Sequence, residues 1–138
     1  MPNYWLLKTE PSTYSFADLE REGKTVWDGV TNALALKHLR SMKKGDLSFI
    51  YHTGDEKQIV GIAGVVSDPY PSPKERNPKL VVVDLKPQGR LPRVVTLAEI
   101  KARKEFADFE LVRIGRLSVM PVSRVRWRRV CQIAQDAA

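Results

Sequence analysis

WDGVTNALALKHLRSMKKGDLSFIYHT, Trp27 to Thr53, decides how the rest of the chain is read. It parses as a loop, a helix, a turn and a strand. Trp27, Asp28 and Gly29 form the loop, Thr31 or Asn32 caps the first helical turn, and Leu34, Leu39 and Met42 are spaced for one buried helical face. Lys43 to Asp46 ends the helix. A β-rich run follows, in which Leu47, Phe49 and Tyr51 alternate with Ser48, Ile50 and His52 before the Thr53-Gly54 turn. The segment thus carries an aromatic face with a carboxylate at one end and an imidazole with a hydroxyl at the other, and a pocket between those ends is expected.

On the N-terminal side, YWLLK at Tyr4 to Lys8 suits a buried strand that Pro11 must end, with Thr9 and Glu10 at its exit. Ser15-Phe16-Ala17-Asp18 reads as a capping box opening a short helix to Glu22, closed by Gly23. On the C-terminal side, QIVGIAGVV at Gln58 to Val66 is a strand whose Gly61 and Gly64 predict a bulge, a barrel corner or close approach of another backbone. Asp68 to Pro78, with four prolines, reads as an irregular loop and a candidate lid or contact loop. Leu80 to Leu85 is a strand leading to a Pro87-Gln88-Gly89 turn, and Thr96-Leu97-Ala98-Glu99 opens a helix to about Lys104. A strand at Leu117 to Met120, ended by Pro121, precedes a final helix capped by Ser123, with Trp127, Val130, Cys131 and Ala134 on one face. Short strands with small helices between them argue α+β, a compact curved sheet or pseudo-barrel.

At 138 residues, with 43% hydrophobic and 28% charged residues, the composition is that of one globular domain over residues 1–138. No apolar run is long enough to cross a bilayer, and the opening MPNYWLLKTEP lacks the pattern of a secretory signal, so an intracellular, monomeric protein is expected: cytoplasmic in a bacterium, nuclear in a eukaryote. The single cysteine, Cys131, has no metal-ligand companion, so neither a disulfide nor a metal nor a cofactor is expected. A formal charge of +7 raises the prior for a polyanionic partner. Arginine concentrates toward the C-terminus, at Arg113, Arg116, Arg124, Arg126, Arg128 and Arg129, and those after Ser123 are read as a solvated helix face that also steers polyanions.

WLLKTEP at Trp5 to Pro11, YSFADL at Tyr14 to Leu19, WDGVTN at Trp27 to Asn32, LRSMKKGD at Leu39 to Asp46, YHT at Tyr51 to Thr53 and RLSVMPV at Arg116 to Val122 together resemble the EVE domain family, in order over nearly the whole chain. The resemblance implies a PUA-like fold, a curved mixed β-sheet flanked by short helices and related to YTH and ASCH domains. It also implies a non-catalytic reader of modified bases in DNA or RNA. Carried over by position, the pocket would be lined by Lys8, Thr9, Glu10, Trp27, Asp28, Gly29, Asn32, His52 and Thr53, with Arg116, Leu117 and Ser118 closing it. Thr31 stands where the family pattern has arginine, and Leu36-Lys37 where it has Arg-Asn, so no phosphate contact is expected from position 31.

The residue types fit that role. An indole gives sequence-tolerant stacking worth about 1–3 kcal/mol per base, a glycine admits the ligand to backbone amides, and a carboxylate accepts from an exocyclic amine. Against it stand blander readings: a core Trp27, Asn32 as a helix cap, His52 as a structural hydrogen-bonder, and Lys8 paired with Glu10 on one strand face. Trp5 and Trp127 are assigned to the core. The rival classes are a small nucleotide-processing enzyme using Lys8, Glu10 and His52, and a protein-interaction module. No nucleophile elbow, phosphate-binding glycine loop or zinc-ligand set supports the enzyme.

Overall fold

The structure, a computed structural model, describes residues 2–136. Seven strands form one curled mixed sheet: β1 (Tyr4–Thr9), β2 (Thr25–Trp27), β3 (Leu47–His52), β4 (Gln58–Val65), β5 (Tyr70–Pro71), β6 (Val81–Thr96) and β7 (Val119–Val122). Their spatial order is β2-β6-β4-β3-β1-β7, with β5 added to β6. Among the described residues only β1 and β3 run parallel, in a register that sets Thr9 beside His52; the other pairs are antiparallel. The helices are α1 (Phe16–Glu22), α2 (Ala33–Arg40), α3 (Leu97–Lys101), α4 (Glu110–Arg113) and α5 (Arg124–Gln135). The fold class is therefore the expected α+β, a half-barrel of the PUA-like kind.

Local signals account for most boundaries. Ser15 accepts from the Asp18 N–H while Asp18 accepts from the Ser15 N–H, and Gly23 closes α1 in the left-handed conformation. Asn32, not Thr31, caps α2 by accepting from Ala35 N at 3.0 Å. The buried face of α2 is Ala35, Leu36 and Leu39; Leu34 is 39% exposed, because five residues of helix turn it about 140° away from Leu39. Thr96 and Ser123 cap α3 and α5 as their sequences predict, although α3 stops at Lys101.

The long strand β6 departs most from expectation. It runs straight through Pro87-Gln88-Gly89, which was expected to be a turn. The pairing with β4 slips there, Ile62 facing Gly89 and Ala63 facing Pro87, and this bulge accommodates a residue without an N–H. A second slip lies between Ile59 and Gly61, next to the segment holding Pro92. These irregularities curl the sheet. Gly61 serves close approach as well, since a Cβ there would lie 2.6 Å from the Phe16 ring. Pro121 does not end β7 but lies within it, because β7 is an edge strand whose outer side needs no donor. Within the proline-rich loop, Tyr70–Pro71 still forms a two-residue strand. Its Tyr70 hydroxyl donates to Asp84 Oδ1 at 2.5 Å, which pushes the phenol up to about 12.

The core fills the space between sheet and helices. Trp127 of α5 stacks on Phe49 at 3.8 Å and on Tyr4 at 4.6 Å between ring centroids. Asp46, buried just before β3, accepts from Asn3 N (3.0 Å), Trp5 Nε1 (2.9 Å) and Lys43 N (3.0 Å). One carboxylate thus ties the chain's start, the helix-to-strand turn and a core indole together. Its sequence signal was only that of a turn. Asp46→Ala leaves these donors without an acceptor and is expected to cost about 3 kcal/mol or more. Asp46→Asn, which keeps an acceptor oxygen, should recover part of that in urea unfolding.

Candidate nucleic-acid interface

The segment joining β1 to β3 builds the most chemically suggestive cavity, about 460 Å³ in volume. Thr9 from the end of β1, Tyr14 from the approach to α1, and Trp27, Asp28 and Gly29 from the end of β2 line it, and Lys74 reaches in from the proline-rich loop. The Tyr14 and Trp27 rings meet edge to face, 6.2 Å between centroids with planes 81° apart, so they form an aromatic corner. The Tyr14 hydroxyl donates to Glu22 Oε1 at 2.5 Å, and burial, reinforced by that bond, pushes the phenol up. Thr9 Oγ1 donates to Tyr14 O at 2.6 Å and holds the corner's backbone. Gly29 takes φ +81, a left-handed turn that glycine adopts without strain, and it keeps the mouth free of a side chain.

Across the mouth, Lys74 Nζ donates to Asp28 Oδ2 at 3.1 Å. Both side chains are solvent-exposed, so the pair contributes about 0–1 kcal/mol and yields readily to an incoming polar group. A larger depression, about 660 Å³, adjoins the cavity and shares Glu22, Thr25, Val26, Asp28 and Lys74 with it. The proline-rich loop thus contributes to the mouth through Lys74, which the sequence reading did not single out. Nor did it single out Tyr14 or Glu22. Tyr14 stood within the YSFADL motif, and a lone tyrosine two residues before a helix gives no other local sign of its partner Trp27.

The expected pocket residues separate into distinct groups. Thr9, Trp27, Asp28 and Gly29 come together as expected. Lys8 and Thr53 line a different cleft. His52 is buried, its Nε2 accepts from Phe16 N at 3.0 Å, and its Nδ1 therefore carries the proton directed at Glu56 Oε1, 2.9 Å away. The imidazole fastens α1 to β3 and has no nitrogen left for a ligand. Asn32 is spent on its helix cap. Glu10 accepts from Ser12 N and Oγ, which hold its carboxyl below its ordinary range. Leu117 is buried in the core, Ser118 O accepts from Lys8 N at 3.0 Å, and Arg116 is exposed.

Lys8 is not paired with Glu10; its Nζ donates to Gly115 O at 2.8 Å. With Lys8, Glu10 and His52 each turned to a separate partner, the structure assembles no acid–base site from them. The arginines of α5 are only partly a solvated face. Arg126 bonds Asp108 and lies 5.4 Å from the Phe109 ring centroid, and Arg129 bonds Glu105 at 2.8 Å, so these two dock the helix. Arg124 and Arg128 make no ion pair among the described residues.

The sequence pattern of the EVE domain matches residues 3–133. The chain belongs to the EVE domain family. Among solved structures, a protein of Rhodopseudomonas palustris superposes with a TM-score of 0.91 at 40% identity, covering 96% of this chain and 92% of that one. The human THYN1 protein in complex with 5-methylcytosine-containing DNA superposes at 0.90, with 28% identity over 99% of each chain. Thymocyte nuclear protein 1 of Rattus norvegicus is 32% identical, the match covering 90% of this chain and 70% of the rat protein.

Within this EVE domain Trp27 has two duties. It lines the cavity, yet it is only 8% exposed and belongs to the core cluster, so the same indole also packs the core. Trp27→Ala is expected to cost about 3–5 kcal/mol, comparable to Trp127→Ala. Urea melts of the two variants check this, and a Trp27→Ala protein as stable as the parent would mean that the indole packs against nothing.

Proposed function

We propose that this EVE domain is a non-catalytic nucleic-acid reader that holds a modified base, 5-methylcytosine in DNA being the first candidate, in the Trp27–Tyr14 corner. The observation that carries the reading is the geometry of that corner: two rings at right angles with an exposed carboxylate and a side-chain-free turn at the mouth. A base extruded from its stack can lie against one ring and meet the other at its edge. In this reading Asp28 accepts from the cytosine N4 amino group, displacing a weak ion pair with Lys74. The likeness to human THYN1, solved with 5-methylcytosine-containing DNA, supports the same ligand class.

The site's chemistry favours binding over turnover. Its polar groups are the Asp28 and Glu22 carboxylates, the Lys74 ammonium, threonine hydroxyls and a tyrosine already bonded to Glu22, and His52, the residue suited to proton transfer, is locked elsewhere. Among the described residues no group of His, Cys, Asp or Glu is arranged to hold a metal ion.

Burying the 5-methyl group is worth about 0.8 kcal/mol, a factor of roughly four, and a snug fit takes the preference toward about tenfold. Fluorescence anisotropy with paired oligonucleotides, identical except for one methyl group, should show a four- to tenfold preference for the methylated strand, and the same pairs in RNA assign the polymer. Asp28→Asn is expected to weaken methylated and unmethylated cytosine alike, by about 1–3 kcal/mol, because the amino group is common to both. Equal affinity of the parent protein for every methylated and unmethylated pair would overturn the reading.

A further inference from the structure

A second cleft, about 200 Å³, opens beside the exits of β1 and β3, and three lysines line it: Lys8, Lys57 and Lys101. None of them lies within ion-pair distance of a carboxylate among the described residues, whereas Arg90, Arg93, Arg126 and Arg129 elsewhere each have one. The carboxylates nearest in sequence are engaged by groups other than these lysines. Glu56 bonds His52 and Gln58, Glu10 accepts from Ser12 and, at the cleft's edge, from the Thr53 hydroxyl at 3.4 Å, and no ion pair joins Glu10 or Asp55 to any of the lysines. The cleft therefore gathers three ammonium groups that no ion pair among the described residues neutralises.

Lys8 is half-buried, with its Nζ on Gly115 O and 5.6 Å from the Tyr51 ring centroid, and this burial lowers its pKa. Lys57 takes φ +48 and is the one non-glycine among the described residues with a positive φ. Glycine or asparagine would adopt that conformation more cheaply than lysine, and such outliers gather at ligand sites. The Lys57 carbonyl accepts from Leu97 N at 2.8 Å, which ties the strained turn to α3 and so to Lys101.

We propose that this cleft takes a backbone phosphate of the bound strand, on the nucleotide beside the base held at Trp27. The assignment rests on the reader function and adds the anchor that sets the strand's path. Lys8 and Thr9 are consecutive, their Cα atoms about 3.8 Å apart, and they point to opposite faces at the end of β1. Thr9 lines the aromatic cavity and Lys8 lines the cleft. Thr53, also in the cleft, donates to Thr9 O at 3.3 Å. A strand crossing this exit reaches an aromatic corner on one side and three ammonium groups on the other. Such a contact positions the strand and adds affinity without reading the base.

The test measures binding of methylated and unmethylated oligonucleotides over a range of salt by the full chain and its variants. Lys57→Gln/Lys101→Gln is expected to weaken both oligonucleotides by the same factor and to make the slope of log affinity against log salt shallower by about one per lost phosphate contact. Lys43→Gln/Lys44→Gln, an equal change of net charge at the turn before β3, should leave most of that slope in place. Lys57→Gly should weaken binding in the same way while melting at no lower temperature than the parent. An unchanged slope in the cleft variant, or an equal loss in the Lys43/Lys44 control, would overturn the phosphate site. If the parent shows no methyl preference yet loses slope only in the cleft variants, the base-reading function fails and the phosphate site stands.

Discussion

The parallel pairing of β1 with β3 is the constraint on which the rest of the structure depends. Two parallel neighbours cannot be joined by a hairpin, so the chain must leave the sheet at Thr9 and return at Leu47 through a crossover. That crossover carries α1, β2 and α2, and with them Tyr14, Trp27, Asp28 and Gly29. Because the two strands also end on the same side, Thr9 and His52 emerge together. The walls of the aromatic cavity and the floor of the lysine cleft are thus both consequences of one strand pairing.

Polar groups fix that crossover at both ends. At its start, His52 of β3 accepts from the first N–H of α1 and the Thr9 hydroxyl donates to Tyr14 O. At its finish, Asp46 gathers donors from the N-terminus, the turn and Trp5. Among the described residues no buried side-chain nitrogen or oxygen lacks a hydrogen-bond partner. Such satisfaction is what allows a buried histidine and aspartate to stabilise the fold, since either left unpartnered would cost more than it contributes. The Tyr4–Trp127–Phe49 stack closes the core beside β1 with apolar contact alone.

Local chemistry made much of this legible in the sequence. The caps at Ser15, Thr96 and Ser123, the glycine stop at Gly23, and the β-branched runs of β1, β3 and β4 all depend on neighbours within a few residues. Where the outcome depends on distant partners, local reading failed. Pro87 marks a turn unless a strand across the sheet slips to make a bulge, and Pro121 ends a strand unless that strand lies at the edge. The candidate site divides in the same way. Trp27, Asp28, Gly29 and Thr9 could be named from residue type and resemblance. His52 and Asn32 were equally plausible ligands until their hydrogen-bond partners were visible. Tyr14, Lys74, Lys57 and Lys101 enter only through tertiary placement, although the loop bearing Lys74 was recognisable as a contact loop.

The central claim is that the modified group sits against Trp27 and Tyr14. Intermolecular nuclear Overhauser effects between the 5-methyl protons of a 5-methylcytosine oligonucleotide and the protein measure this most directly. The structure calls for cross-peaks from that methyl to the Trp27 indole or Tyr14 ring protons, with none to Tyr51 across β1. Methyl cross-peaks confined to residues outside the Trp27–Tyr14 corner would contradict it.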